Sequence, residues 1–126
     1  MVQTDITQLS RECSDWRDSL RSLRNQINGC KSQLQQIASQ PLSKESLTDV
    51  EHFHNQFHIQ LINIHDVKQA IKAHNRRVHF ESTAHKGQIT EETLADHESL
   101  FDQYERLTAT LNNLTEEFSS FTERSQ

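Results

Sequence analysis

Residues 6–37 read ITQLSRECSDWRDSLRSLRNQINGCKSQLQQI, from Ile6 to Ile37. Within them Ile6, Leu9, Cys13, Trp16, Leu20, Leu23, Ile27, Cys30, Leu34 and Ile37 follow one another at alternating steps of three and four. An α-helix turns every ~3.6 residues, so a repeat averaging ~3.5 draws a narrow apolar stripe that must meet partner helices. Asn28-Gly29 is the weakest point of this stripe, but the ladder continues through Cys30, which favours one continuous helix.

Two interruptions divide the remainder. Ser39-Gln40-Pro41-Leu42-Ser43 holds the only proline, which lacks an amide donor and collides with the preceding helical turn. Thr83-Ala84-His85-Lys86-Gly87-Gln88 supplies a glycine able to take the left-handed conformation that ends helices. The next helices start alike. Ser43 and Thr90 are placed as hydroxyl caps, and Leu42 and Ile89 precede them as staples for Leu47 and Leu94. Glu91 and Glu92 then sit where negative charge favours the helix dipole.

The second helix, about residues 44–80, has the expected stripe Leu47, Val50, His54, Phe57, Leu61, Ile64, Lys68, Ile71, Asn75 and Val78, broadened by Phe53 and Val67. The third, about 91–123, has His97, Leu100, Tyr104, Leu107, Leu111, Leu114, Phe118 and Phe121, widened by Leu94 and Phe101. With the first helix over about 4–40, residues 1–126 are expected to form one all-α domain. Its architecture is read as an elongated antiparallel three-helix bundle with left-handed coiled-coil packing, because short connections make successive helices antiparallel neighbours.

Composition agrees. Only 33% of residues are hydrophobic and 25% are charged, which suits helices that bury a seam and leave most of their girth in water. No segment approaches the ~20 apolar residues that cross a bilayer, and no secretory signal opens the chain, so a cytoplasmic protein is expected. Cys13 and Cys30 lie ~25 Å apart on one helix, too far for a disulfide, and both read as small hydrophobes of the stripe.

The eight histidines are the strongest pointer to a site. His54 and His58 are spaced to face one metal ion from one helix, with His52 and His65 close in sequence. No cysteine pair or His-Glu-x-x-His motif completes a ligand set, so no metal-binding, cofactor-binding or catalytic residues are expected. Lys68, Lys72, Arg76, Arg77 and Lys86 gather near the end of the second helix, yet residues 87–126 carry nine acids against two arginines. Neutralisation of a helix C-terminus and of an acidic neighbour explains this cluster better than nucleic-acid binding. Glu91-Glu92 and Glu116-Glu117 read as solvated faces, and no phosphate loop or nucleophile elbow supports an enzyme.

Trp16 in the middle of the first helix, the spacing Leu100, Tyr104, Leu107 and the stretch Leu47-Thr48-Asp49-Val50-Glu51 together resemble the spectrin-type repeat of spectrin, dystrophin, plakins and nesprins. Tyr104 stands where that family usually has a second tryptophan. The resemblance covers nearly the whole chain. It implies a non-enzymatic rigid spacer and docking surface in a cytoskeletal linker, with adjacent repeats or cytoskeletal proteins as partners. Trp16, Tyr104, Phe57 and Leu61 are the residues expected to carry the structure. The alternative is a free-standing adaptor that binds a partner helix, as syntaxin-type N-terminal domains do. The heptads leave open whether the seam closes on itself or recruits a second chain.

Overall fold

A computed structural model describes residues 6–84 and 87–124. It is a three-helix bundle of α1 (Ile6–Ala38), α2 (Lys44–Ala84) and α3 (Glu91–Arg124), with no strand among the described residues. The helices have 33, 41 and 34 residues. The early residues of the expected first helix, 4 and 5, lie outside the described range, as do His85 and Lys86.

Gly29 does not interrupt α1. A Cβ there would meet nothing within 4 Å, so Gly29→Ala should reduce unfolded-chain entropy without a clash. We expect it to stabilise the bundle by about 0.5–1 kcal/mol. Thermal unfolding checks this, and a lower melting temperature would contradict it. α1 closes before Pro41, where Ser39 donates its amide to Gln35 O at 3.1 Å and its hydroxyl to Gln36 O at 2.7 Å.

α2 begins at the expected cap, with Ser46 N donating to Ser43 Oγ at 3.1 Å. It runs past the expected end at Phe80 to Ala84. The added turn carries Glu81, which is buried and makes polar contacts to α3. Gly87 follows with φ 87° and donates to Ser82 O at 2.7 Å, satisfying a carbonyl at the helix end.

The neighbours along each helix are specific. Ser10 Oγ of α1 lies 3.3 Å from His79 Nε2 near the end of α2. At the far end of α1, Leu34 and Ala38 share a cavity of about 290 Å³ with Val50 and His54 near the start of α2. Glu12 of α1 meets His97 near the start of α3. Phe53 and Phe57 of α2 pack with Phe118 of α3 near its end.

The α1 ladder is as expected: Leu9, Cys13, Trp16, Leu20, Ile27 and Leu34 are buried, and Leu23, Cys30 and Ile37 pack against them. The α3 ladder also holds, from His97 to Phe121, and extends one rung upstream to Thr93. Tyr104 is half-buried against this core.

On α2 the expected stripe is corrected. Phe57, Ile64, Ile71 and Val78 are fully buried, but the alternate rungs are Phe53, Gln60, Val67, His74 and Glu81. The first four of these lie one residue before the expected positions His54, Leu61, Lys68 and Asn75, and Glu81 continues the same series beyond the expected end of the stripe. His54 is exposed, Leu47 is 49% exposed, and Leu61 is a half-buried flank residue. One residue rotates a helix face by ~100°, so two adjacent stripes compete for the same seam. Phe53 and Val67 tip the balance, and α3 supplies polar partners for His74 and Glu81.

Candidate functional site

The most unusual chemistry in the seam lies where the start of α1, the end of α2 and the start of α3 meet. Cys13, His74 and His97 are all buried, and one potential ligand atom from each lies within 4.8 Å of the others. His97 Nε2 is 3.1 Å from Glu12 Oε2, and His97 Nδ1 is 2.9 Å from His74 Nε2. A carboxylate only accepts, so His97 donates from Nε2 and leaves Nδ1 as an acceptor. His74 then donates from Nε2. The result is a directed chain from the core to Glu12, which lies at the bundle's edge.

Apolar surroundings tune these groups. Burial, foremost, then His97 and Arg77 hold the His74 pKa below the ordinary imidazole value, against the opposing pull of Asp96 and Glu81. Burial pushes the Cys13 thiol up to about 11, with Glu12 adding and Arg17 opposing. Trp16 covers the cluster, its ring centroid 4.8 Å from that of His97. A cleft of about 330 Å³, lined in part by Ala73, His74, Arg77, Asp96 and Gln103, reaches His74 from the α2–α3 side.

Two turns beyond His74, Glu81 ties α2 to the start of α3. Thr93 donates its hydroxyl to Glu81 Oε2, and Thr90 donates its backbone amide to Oε1 at 3.1 Å. Thr90 Oγ1 in turn accepts the Thr93 amide at 3.2 Å. In a local capping box, an acid on the same helix satisfies the cap amide; here Glu81 does so from the neighbouring helix. The Thr93 hydroxyl foremost, then the Thr90 hydroxyl and amide and the Arg77 charge, outweigh burial and lower the Glu81 carboxyl to about 2.

The ordinary value for Glu81 is 4.5, so the unfolded chain binds the extra proton first on acidification. Its stabilisation is present above that value and disappears as pH falls from 4.5 towards 2. Glu81→Gln should therefore flatten this part of the stability profile. Urea midpoints across the interval check the expectation, and equal acid slopes for variant and wild type would contradict it.

His54 and His58, whose spacing would let them face one ion, are exposed, as are His52 and His65, and no metal-capable group among the described residues includes them. His52 instead packs edge-on against Phe53, with centroids 5.3 Å apart. Arg77 faces acids, reaching Asp96 at 2.8 Å, Glu81 at 3.3 Å and Glu92 at 3.6 Å. Lys68 lies among like charges instead, its pKa lowered by burial and by Arg24, Arg21 and Arg17 of α1. Both cysteines are free thiols.

Cys13 and His97 fall on their expected ladders, whereas His74 lies off the expected α2 stripe. The available signal was the seven-residue series Gln60, Val67, His74 and Glu81, which continues the Phe53 position. No protein-family model, curated protein or solved structure matches this chain. No helix among the described residues is long and apolar enough to cross a membrane.

Proposed function

We propose that the chain is a non-enzymatic spectrin-like repeat, an antiparallel three-helix coiled coil that serves as a rigid spacer and protein-docking surface in a cytoplasmic, cytoskeleton-associated linker. The observation that carries this reading is the stack of Trp16 on Tyr104, the two aromatics on which the resemblance rests. Their centroids are 5.7 Å apart and their planes 23° apart. The contacts of the beginning of α1 with the end of α2, and of its end with the beginning of α2, support an antiparallel course. The seam of buried residues from Leu9 to Leu34 supports a stiff rod. At 1.5 Å per residue the 41 residues of α2 span ~60 Å.

Light scattering combined with small-angle X-ray scattering tests this reading. A monomeric rod of roughly 50–60 Å is expected. A compact sphere, or a dimer sharing its seam, would overturn the self-contained spacer.

The adaptor reading has one observation in its favour. Ile59 and Ile62 are 45% and 49% exposed and lie one turn apart on α2, outside the seam. If they form a docking face, placing positive charge on it by Ile59→Lys with Ile62→Lys should leave stability unchanged and abolish any concentration-dependent association of the wild type.

A further inference from the structure

We propose that Cys13, His74 and His97 form a binding site for a zinc-like divalent transition-metal ion, with three protein ligands and a fourth position facing the α2–α3 cleft. Each helix contributes one ligand, so the ion would pin all three together near one end of the bundle.

The geometry requires little rearrangement. A tetrahedral zinc ion with bonds of ~2.0–2.1 Å to nitrogen and ~2.3 Å to sulfur separates two nitrogens by about 3.3 Å, and nitrogen from sulfur by about 3.6 Å. His74 Nε2 and His97 Nδ1 already face each other at 2.9 Å, and one ligand atom from each of Cys13, His74 and His97 lies within 4.8 Å of the others. A small separation of the rings and a closing movement of the thiol, by about 1 Å, complete the set. One sulfur and two imidazoles suit zinc and cobalt, whereas magnesium and calcium take oxygen ligands.

Three surrounding features strengthen the assignment. His97 is held through its other nitrogen by Glu12 at 3.1 Å, the carboxylate contact that typically orients a metal-binding histidine. The Cys13 thiolate and the Glu12 carboxylate balance the two positive charges of the ion. The cleft beside His74 provides an entry path and space for water as fourth ligand. On binding, Cys13 releases its proton, His97 keeps its proton on Nε2, and His74 moves its proton from Nε2 to Nδ1. The hydrogen-bonded chain accounts for the two histidines and Glu12, and Cys13 also packs as a small core side chain; metal binding adds a role for its sulfur beside two imidazoles.

Titration of the reduced wild-type chain with Co(II), followed by Zn(II), tests the proposal. The expected result is one equivalent of cobalt showing sulfur-to-metal charge transfer and the strong visible bands of tetrahedral coordination, both erased by zinc. Cys13→Ala should remove the charge-transfer band and Cys30→Ala should retain it. Glu12→Gln should weaken zinc binding ~10- to 100-fold. X-ray absorption of the zinc-loaded wild type needs no variant and should show one sulfur with nitrogen ligands. No charge transfer in the folded wild type, a band that follows Cys30, or a shell of nitrogen and oxygen alone would each overturn the site.

Discussion

Phe57→Ala is expected to lower the free energy of unfolding by about 3–5 kcal/mol. Phe57 is 0% exposed and sits among aromatic rings, with centroids 5.2 Å from Phe118 and 6.0 Å from Phe53. The Phe118 contact is edge-on at 77°, a favourable geometry worth about 0.5–1.5 kcal/mol beyond the area buried. Alanine would remove these contacts and leave a void that long, straight helices cannot easily close. Leu61, one turn later on the same helix, provides the internal control. It flanks the seam, so Leu61→Ala should cost clearly less than Phe57→Ala. Urea unfolding followed by circular dichroism measures both, and a Phe57→Ala loss below about 1 kcal/mol would show that the seam does not close around this residue.

Trp16→Ala should have a loss of the same size, about 3–5 kcal/mol, at the other end of the molecule. Trp16 is 5% exposed and packs on His97, Phe101 and Tyr104 with centroid distances of 4.8, 5.5 and 5.7 Å. Its removal would also admit water to the His74–His97 chain. The chain contains one tryptophan, so the measurement needs circular dichroism instead of indole fluorescence. A variant that melts with the wild type would exclude Trp16 as a structural anchor. Phe101 and Phe118, which contact Trp16 and Phe57, are separated along α3 by ~25 Å. The two losses should therefore add within about 0.5 kcal/mol. Together they approach the whole stability of an ordinary small domain, and the double variant should be largely unfolded at room temperature.

The three helices, their connections and both threonine and serine caps were legible because each depends on local chemistry. Pro41 cannot continue a helix, Gly87 adopts positive φ, and Ser43 and Thr90 cap the following amides. The ladders of α1 and α3 were also legible, since their apolar residues favour one phase. α2 carries two adjacent candidate stripes. Leu61 favours one, Phe53 and Val67 the other, and the choice between them depends on neighbours remote in sequence.

That choice also hid the polar cluster. An interior His74 or Glu81 is unfavourable until His97, Thr90 and Thr93 supply hydrogen bonds. Helical spacing draws the eye to His54 and His58 because both lie on one helix, whereas the buried histidines are brought together from two. Cys13 was legible as a core residue. Its position beside two imidazoles required knowing which level of α1 lies against which level of α2 and α3.

The seven-residue spacing of Gln60, Val67, His74 and Glu81 sets a rule for changes in chain length. One residue inserted between Val67 and Ile71 would turn every later α2 side chain by ~100°, carrying His74 away from His97 and Glu81 away from Thr93. Seven inserted residues would restore the phase but move both groups ~10 Å along the axis, past their partners. Only a matched insertion in all three helices would preserve both phase and level. Tolerated changes in length are therefore expected in the connections around Pro41 and Gly87, unless all three helices lengthen together.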